Sequence, residues 1–214
     1  MISQLHFELA FSIASSNWLL WQDVWEHQGE PNNSPIFQQE KFLKFVSEYS
    51  VLRYVDENRR IEILNYIHDN YDLYGIIDNL DGYGIGLLTD DIQENFGGNR
   101  QHSFSSKLAA FLRPEVFLAS DRFSKAGVRS YFENQLNQRT PAAHYNNYVK
   151  YLTACNVIWE RENPYIIEHL NIINGFENIN TNNLAFQRRI LDVLLMMHGG
   201  RWQTTPALQE PVFF

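Results

Sequence analysis

The sequence predicts an all-α protein, a single compact multi-helix domain of about eight to ten helices, in one body or in two lobes. The lobes would be residues 1–96 and 97–200, with 201–214 as a tail. Three observations lead there. Apolar residues recur at helical spacing almost throughout, and no convincing run of strand-like alternation interrupts them. Capping and turn residues punctuate the chain at helix-length intervals. Of the 214 residues, 44% are hydrophobic and 14% aromatic, enough apolar area to offset the entropy of ordering a core. No internal repeat, low-complexity block or long linker is visible.

The first 28 residues read as helix in two pieces around "SSN", with Trp18, Leu19, Trp21 and Trp25 forming one apolar stripe. "GEPNNSP" is a loop by its turn residues. "IFQQEKFLKFVSEY" is amphipathic, with Phe37, Phe42, Phe45, Val46 and Tyr49 on one side. Asp56 can cap "ENRRIEILNYIHDN", whose apolar members are Ile61, Leu64 and Ile67, with Ile63 and Tyr66 beside them. "YGIGLLTDDIQENF" holds a further helix that "GGNRQ" ends. Thr140-Pro141 is a hydroxyl cap followed by proline at the first helical position, and starts a helix through "AAHYNNYVKYLTACNVIWERE". Asn163-Pro164 interrupts it, and "YIIEHLNII" follows as a separate helix. After the loop "NGFENINTNN", "LAFQRRILDVLLMM" is the last helix, closed by Gly199-Gly200.

Composition excludes several classes of function. No apolar run reaches the roughly 18–20 residues that span a bilayer. The start "MISQLHFELAF" lacks the basic, then apolar, pattern of a signal peptide, so a cytoplasmic protein without membrane partners is expected. One cysteine, Cys155, precludes an internal disulfide and a multi-cysteine metal site. The net charge is −8, unevenly spread. Residues 1–99 hold 5 Lys/Arg against 16 Asp/Glu, whereas residues 100–150 hold 8 against 3. A polyanion responds to the local field within about 8–10 Å, so this basic segment can meet nucleic acid despite the total. It can equally pack against the acidic half of its own chain.

Few motifs carry chemistry. Gly82, Gly84 and Gly86 in "DGYGIGLL" match neither a dinucleotide fingerprint nor a P-loop, and read as a turn into a helix. The seven histidines show no metal-ligand spacing, so neither metal nor cofactor is expected. Cys155 reads as a small buried hydrophobe, and no G-x-S-x-G elbow is present.

The stretch "SFSSKLAAFLRPEVFLASDRFSKAGVR" stands apart. At 100° per residue, Phe104, Leu108, Phe111 and Leu112 share one sector of a helix. Lys107 lies roughly 85° from its centre, on the rim of the buried face. A rim lysine usually snorkels, its ammonium in water. Desolvated instead, its pKa falls and the amine can act as a nucleophile on a sugar carbon. Asp121 opens the next helix, where backbone N–H groups and the macrodipole stabilise a carboxylate. Capping alone accounts for it, yet the same geometry fixes an ionised carboxylate at the mouth of whatever the helix faces. Arg122, Lys125 and Arg129, at i, i+3 and i+7, form either a solvated face or a phosphate-contacting one.

Residues 97–132, through "SSKLAAFLRPEVFLASDRFSKAGVRSYF", resemble the core of helix–hairpin–helix DNA glycosylases, especially small bacterial proteins related to 8-oxoguanine glycosylases. The resemblance implies an all-α fold in which a hairpin of small residues delivers a lysine and an apolar return leads to an aspartate. It implies that Lys107 attacks the sugar C1′ of a flipped damaged nucleotide, forming a Schiff base. Asp121 would then assist departure of the base and stabilise the cationic transition state. Ser103, Ser105 and Ser106 would stand where the hairpin aims backbone N–H groups at phosphate. Arg100, Arg113, Arg122, Lys125 and Arg129 would hold further phosphates of duplex DNA. Trp159, Trp202, Phe104 and His102 are candidates for stacking on the extruded base. The sequence departs from the family in having "SFSSK" where Gly-x-Gly precedes the lysine, with Gly97-Gly98 upstream. Its Lys107–Asp121 interval is 14 residues, shorter than in the well-known members.

The expectation is thus a DNA-acting protein, a base-excision glycosylase with or without lyase activity. The alternatives are a non-catalytic nucleic-acid-binding module using residues 100–129, and an all-α interaction protein. That last would dock an acidic protein partner, or form a homo-oligomer through its aromatic N-terminus and terminal "PALQEPVFF".

Overall fold

The computed structural model describes residues 3–26, 33–70, 82–138, 147–173 and 178–201, and among these every regular element is helical. They are α1 (Gln4–Trp25), a 3₁₀ turn (Pro35–Phe37), α2 (Gln39–Glu48), α3 (Glu57–Asn70), α4 (Tyr83–Phe96), α5 (His102–Leu112), α6 (Arg122–Gln135), α7 (Tyr148–Ile172) and α8 (Leu184–His198). None of these helices is long and apolar enough to cross a membrane.

The last helix is the axis of the molecule. From Ala185 to Met197 nearly every residue of α8 is buried, as expected for a helix covered all round. Helices α6 and α1 lie most extensively along it, with α7 on a further side. Small residues set the closest approach. A Cβ on Gly127 of α6 would stand 1.8 Å from the Leu195 carbonyl oxygen, and one on Gly199 would stand 1.9 Å from the Phe123 carbonyl oxygen. The α6–α8 crossing therefore requires glycine on both sides, and it brings the start of α6 beside the C-terminal end of α8. Aromatic rings fill the neighbouring part of the α1 face: Trp21, Phe45 and Phe111 meet edge to face at 5.0–6.3 Å.

Local signals explain the ends. Asp56 accepts from the Arg59 N–H, as its capping role requires. Gly82 takes left-handed φ (78°) immediately before α4. Gly97 and Gly98 do the same (71° and 80°) in the turn 97–101 that joins α4 to α5, a conformation other residues rarely adopt.

Three expectations are corrected. α1 is continuous through Ser15-Ser16, whose hydroxyls donate to the carbonyls of Phe11 and Ser12 four residues back and so stay within the helix. Leu19 leaves the predicted stripe and is 61% exposed. α7 runs through Pro164 without a break, because Glu162, Ile166 and Leu170 are buried on either side of it. Packing of those side chains outweighs the hydrogen bond that proline removes. The Thr140-Pro141 start lies outside the described residues. The described helix begins at Tyr148, with extended Asn147 as its cap and the Lys150 N–H donating to the Asn147 side chain.

Candidate functional site

Lys107 and Asp121 are brought together by the residues that precede each of them. Ser106 and Ser120, both buried, clasp one another: the Ser120 N–H donates to Ser106 Oγ (3.1 Å), and Ser106 Oγ–H donates to the Ser120 carbonyl (3.4 Å). The extended segment before Asp121 is pinned from α7 as well. Tyr148 and Tyr151 hydroxyls donate to the carbonyls of Leu118 and Ala119, each at 2.8 Å. Buried Phe117 and Leu118 anchor the same segment in the core.

Asp121 then divides its two oxygens. Oδ1 accepts from the N–H groups of Phe123 and Ser124, with Ser124 Oγ reciprocating onto the Asp121 N–H, a full capping box. Oδ2 faces Lys107 Nζ at 3.8 Å. Lys107 Nζ also donates to the Tyr49 carbonyl at 3.3 Å. The snorkelling expectation is corrected, since the Lys107 side chain is only 12% exposed and turns inward. Burial lowers its pKa, and the nearby carboxylates of Asp121 and Asp192 oppose that shift.

The pair opens on a cleft of about 890 Å³. Its lining comes from α1 (Trp21), the segment that follows α2 (Tyr49, Arg53), α5, the start of α6, and α8 (Arg189, Asp192). Six Lys/Arg side chains line it against three carboxylates, the reverse of the balance in the whole chain. Arg189 and Asp192 form a buried ion pair, and Arg189 also donates to Asn17 Oδ1 at 2.8 Å. Burial opposes the Arg189 charge, but Asp192 beside it holds the guanidinium protonated. Burial raises the Asp192 carboxyl, with Arg189 and Lys107 acting against the rise. Burial also pushes the Tyr49 hydroxyl up to about 12. His102, at the cleft edge, is lowered by burial and by Lys125 and Arg100, which favours the neutral ring.

The other expected contacts divide. Ser103, Arg122 and Lys125 line the cleft. Ser105 and Ser106 are fully buried, and the Ser105 N–H is spent on the Gln101 carbonyl within α5, so neither presents a donor outward as expected. Arg113 pairs with Glu115, Arg129 with Glu133, and Arg100 with Asp90 of the acidic half. The i, i+3, i+7 face is thus split, with Arg129 engaged one turn beyond the cleft. Phe104 is core and Trp159 stacks under Arg188, so neither borders the cleft. Trp202 lies outside the described residues.

Sequence reasoning missed Trp21, Tyr49, Arg189 and Asp192. One signal was available: Arg189 and Asp192 sit at i, i+3 inside an otherwise apolar helix, and charges there must be paired. Comparison of the chain with known protein families, curated proteins and solved structures finds no match.

Proposed function

We propose that the protein acts on duplex DNA as a base-excision glycosylase with lyase chemistry through Lys107. The observation that carries this reading is the desolvated Lys107 amine held 3.8 Å from Asp121 Oδ2 in the wall of a positively lined cleft. The α4–turn–α5 hairpin, with left-handed Gly97 and Gly98, supports it by supplying a helix–turn–helix unit ahead of the lysine. So does the cleft volume, which suits an extruded nucleotide.

In this mechanism the neutral amine of Lys107 attacks C1′ of the flipped nucleotide. The C1′–N bond breaks and its electron pair leaves with the base. Asp121, kept in place by its capping box, sets a negative charge against the cationic sugar. It also takes the proton that the attacking amine sheds and passes it to the departing base. The nitrogen lone pair then expels O4′ from C1′; O4′ takes up a proton from water as a free hydroxyl, and a protonated iminium is left between Lys107 and C1′. Arg53, Arg122 and Lys125 meet phosphates flanking the extruded nucleotide.

A second reading is favoured by the double duty of the pair. Lys107 bonds the Tyr49 carbonyl and Asp121 caps α6, so the two also tie α2, α5 and α6 together in a DNA-binding module without chemistry. Borohydride trapping on duplex DNA containing an abasic site separates the two. A covalent adduct in the native protein, lost in Lys107→Ala, is the expected result. Salt-sensitive binding without an adduct selects the module. No binding at low salt overturns both.

A further inference from the structure

Gly86 stands inside α4, where glycine is among the most costly residues a helix can hold. The fold accounts for other glycines. Gly82, Gly97 and Gly98 take positive φ, while Gly127 and Gly199 meet backbone carbonyls too closely for a Cβ. Gly86 does neither: its φ is not positive, and a Cβ there would have no heavy atom within 4 Å. Glycine in such a place leaves room for a close approach from outside. The space it faces is a groove of about 530 Å³. Tyr83 and Leu87, four residues apart on one side of α4, line it and are 57% and 47% exposed. His102 and Lys125 line both this groove and the cleft that holds Lys107, so the two adjoin across these side chains. The His102 ring rests edge-on against buried Tyr148 at 5.7 Å, which fixes the divide in place.

We propose that this groove binds an unpaired nucleotide of the damaged strand, next to the one extruded into the cleft. The preferred substrate is then a lesion at the edge of single-stranded DNA, an inference that rests on the DNA reading above. Size, surface and charge identify the occupant. A groove of this volume takes one drug-sized ligand, and a nucleotide is of that size where a duplex is not. An exposed tyrosine beside an aliphatic side chain offers any base a face to stack on, as in single-strand binding grooves. In a duplex both faces of each base are covered by its neighbours, so only an unpaired nucleotide can use it. Asp90 is neutralised by Arg100, which leaves Lys125 as the net charge of the described lining, complementary to phosphate. Lys125 at the divide meets the phosphate that joins the two nucleotides. Arg100 keeps guanidinium donors beyond those facing Asp90 for the next phosphate.

The experiment measures affinity by fluorescence anisotropy for two kinds of DNA. One holds a tetrahydrofuran abasic analogue inside a blunt duplex. The other holds it at a duplex end whose strand continues as a short single-stranded arm, on the 5′ or on the 3′ side. Native protein is expected to bind one arm polarity at least about fivefold tighter than the blunt duplex. Tyr83→Ala, which removes the stacking face, and Gly86→Leu, which fills the groove, are both expected to erase that preference. Neither should change affinity for the blunt duplex or borohydride trapping on an abasic site within it. Gly86→Leu should also raise the thermal midpoint, since leucine is the better helix former and the position is open. Equal affinity of the native protein for armed and blunt DNA, or a preference that survives both substitutions, overturns the groove and leaves the lyase reading standing. A lowered midpoint for Gly86→Leu does the same, by showing that Gly86 serves packing. Arm preference without trapping in the native protein supports the groove and overturns the lyase reading alone. No binding to any of these DNAs overturns both.

Discussion

Asp121 serves as cap and as partner of Lys107 at once because a carboxylate has two oxygens and the capping box uses one. Substitutions separate the roles. Asparagine is as good a cap as aspartate, so Asp121→Asn should keep the thermal midpoint while removing the charge that faces Lys107. Asp121→Ala should cost about 0.5–2 kcal/mol in chemical denaturation. For Lys107 the sign of the pH dependence follows from burial. Its folded pKa is lowered below the ordinary lysine value of about 10.4, so across that window the unfolded chain binds more protons than the folded one. Stability contributed at this site therefore rises with pH between the folded and unfolded values, and Lys107→Met should flatten the rise. Schiff-base trapping should likewise climb with pH and level off below the ordinary lysine value. Asp192→Asn removes a charge that favours the ammonium, so the midpoint of that climb should move to lower pH. A midpoint that moves upward would contradict the placement of Asp192.

Among elements, the α6–α8 crossing decides where the site stands. Gly127 and Gly199 allow backbone contact there, and each added Cβ would fall inside a neighbouring carbonyl. Gly127→Ala should therefore destabilise the fold by at least about 1–3 kcal/mol, measured as a lowered urea midpoint. It should also displace the start of α6 from Lys107, lowering trapping beyond the loss of folded protein. The Ser106–Ser120 clasp is the second device. Ser106→Ala leaves the buried Ser120 N–H without its acceptor, a cost of about 1–3 kcal/mol. Retained stability in that variant would show that another group takes over the Ser120 N–H.

At the scale of the whole molecule, a chain of net charge −8 presents a cleft lined by more cations than carboxylates. Arg113 and Arg129 pair with Glu115 and Glu133 of their own segment, while Lys125 and Arg122 stay at the cleft. If the partner is duplex DNA, as proposed above, the negative total opposes docking through the acidic part of the chain and favours approach along this opening. Lys125→Glu should weaken duplex binding and reduce the slope of log affinity against log salt by about 1 or more, read by fluorescence anisotropy. A slope equal to that of the native protein would place the DNA elsewhere.

The sequence by itself determined that the described elements are helices, which residues cap α3 and α6, that Lys107 lies at the rim of the buried face of α5 and that Asp121 opens α6. Those are properties of neighbouring residues: periodicity, a carboxylate beside free N–H groups, a glycine at positive φ. It misjudged α1 and α7 as broken, because serine back-bonding and burial around Pro164 override local propensity. Only the tertiary structure decided that Lys107 turns inward, that it meets Asp121, and that Tyr49, Trp21, Arg189 and Asp192 complete the wall. Those residues come from helices far apart in the chain. Their meeting depends on a glycine crossing and a serine clasp whose partners no local pattern can specify.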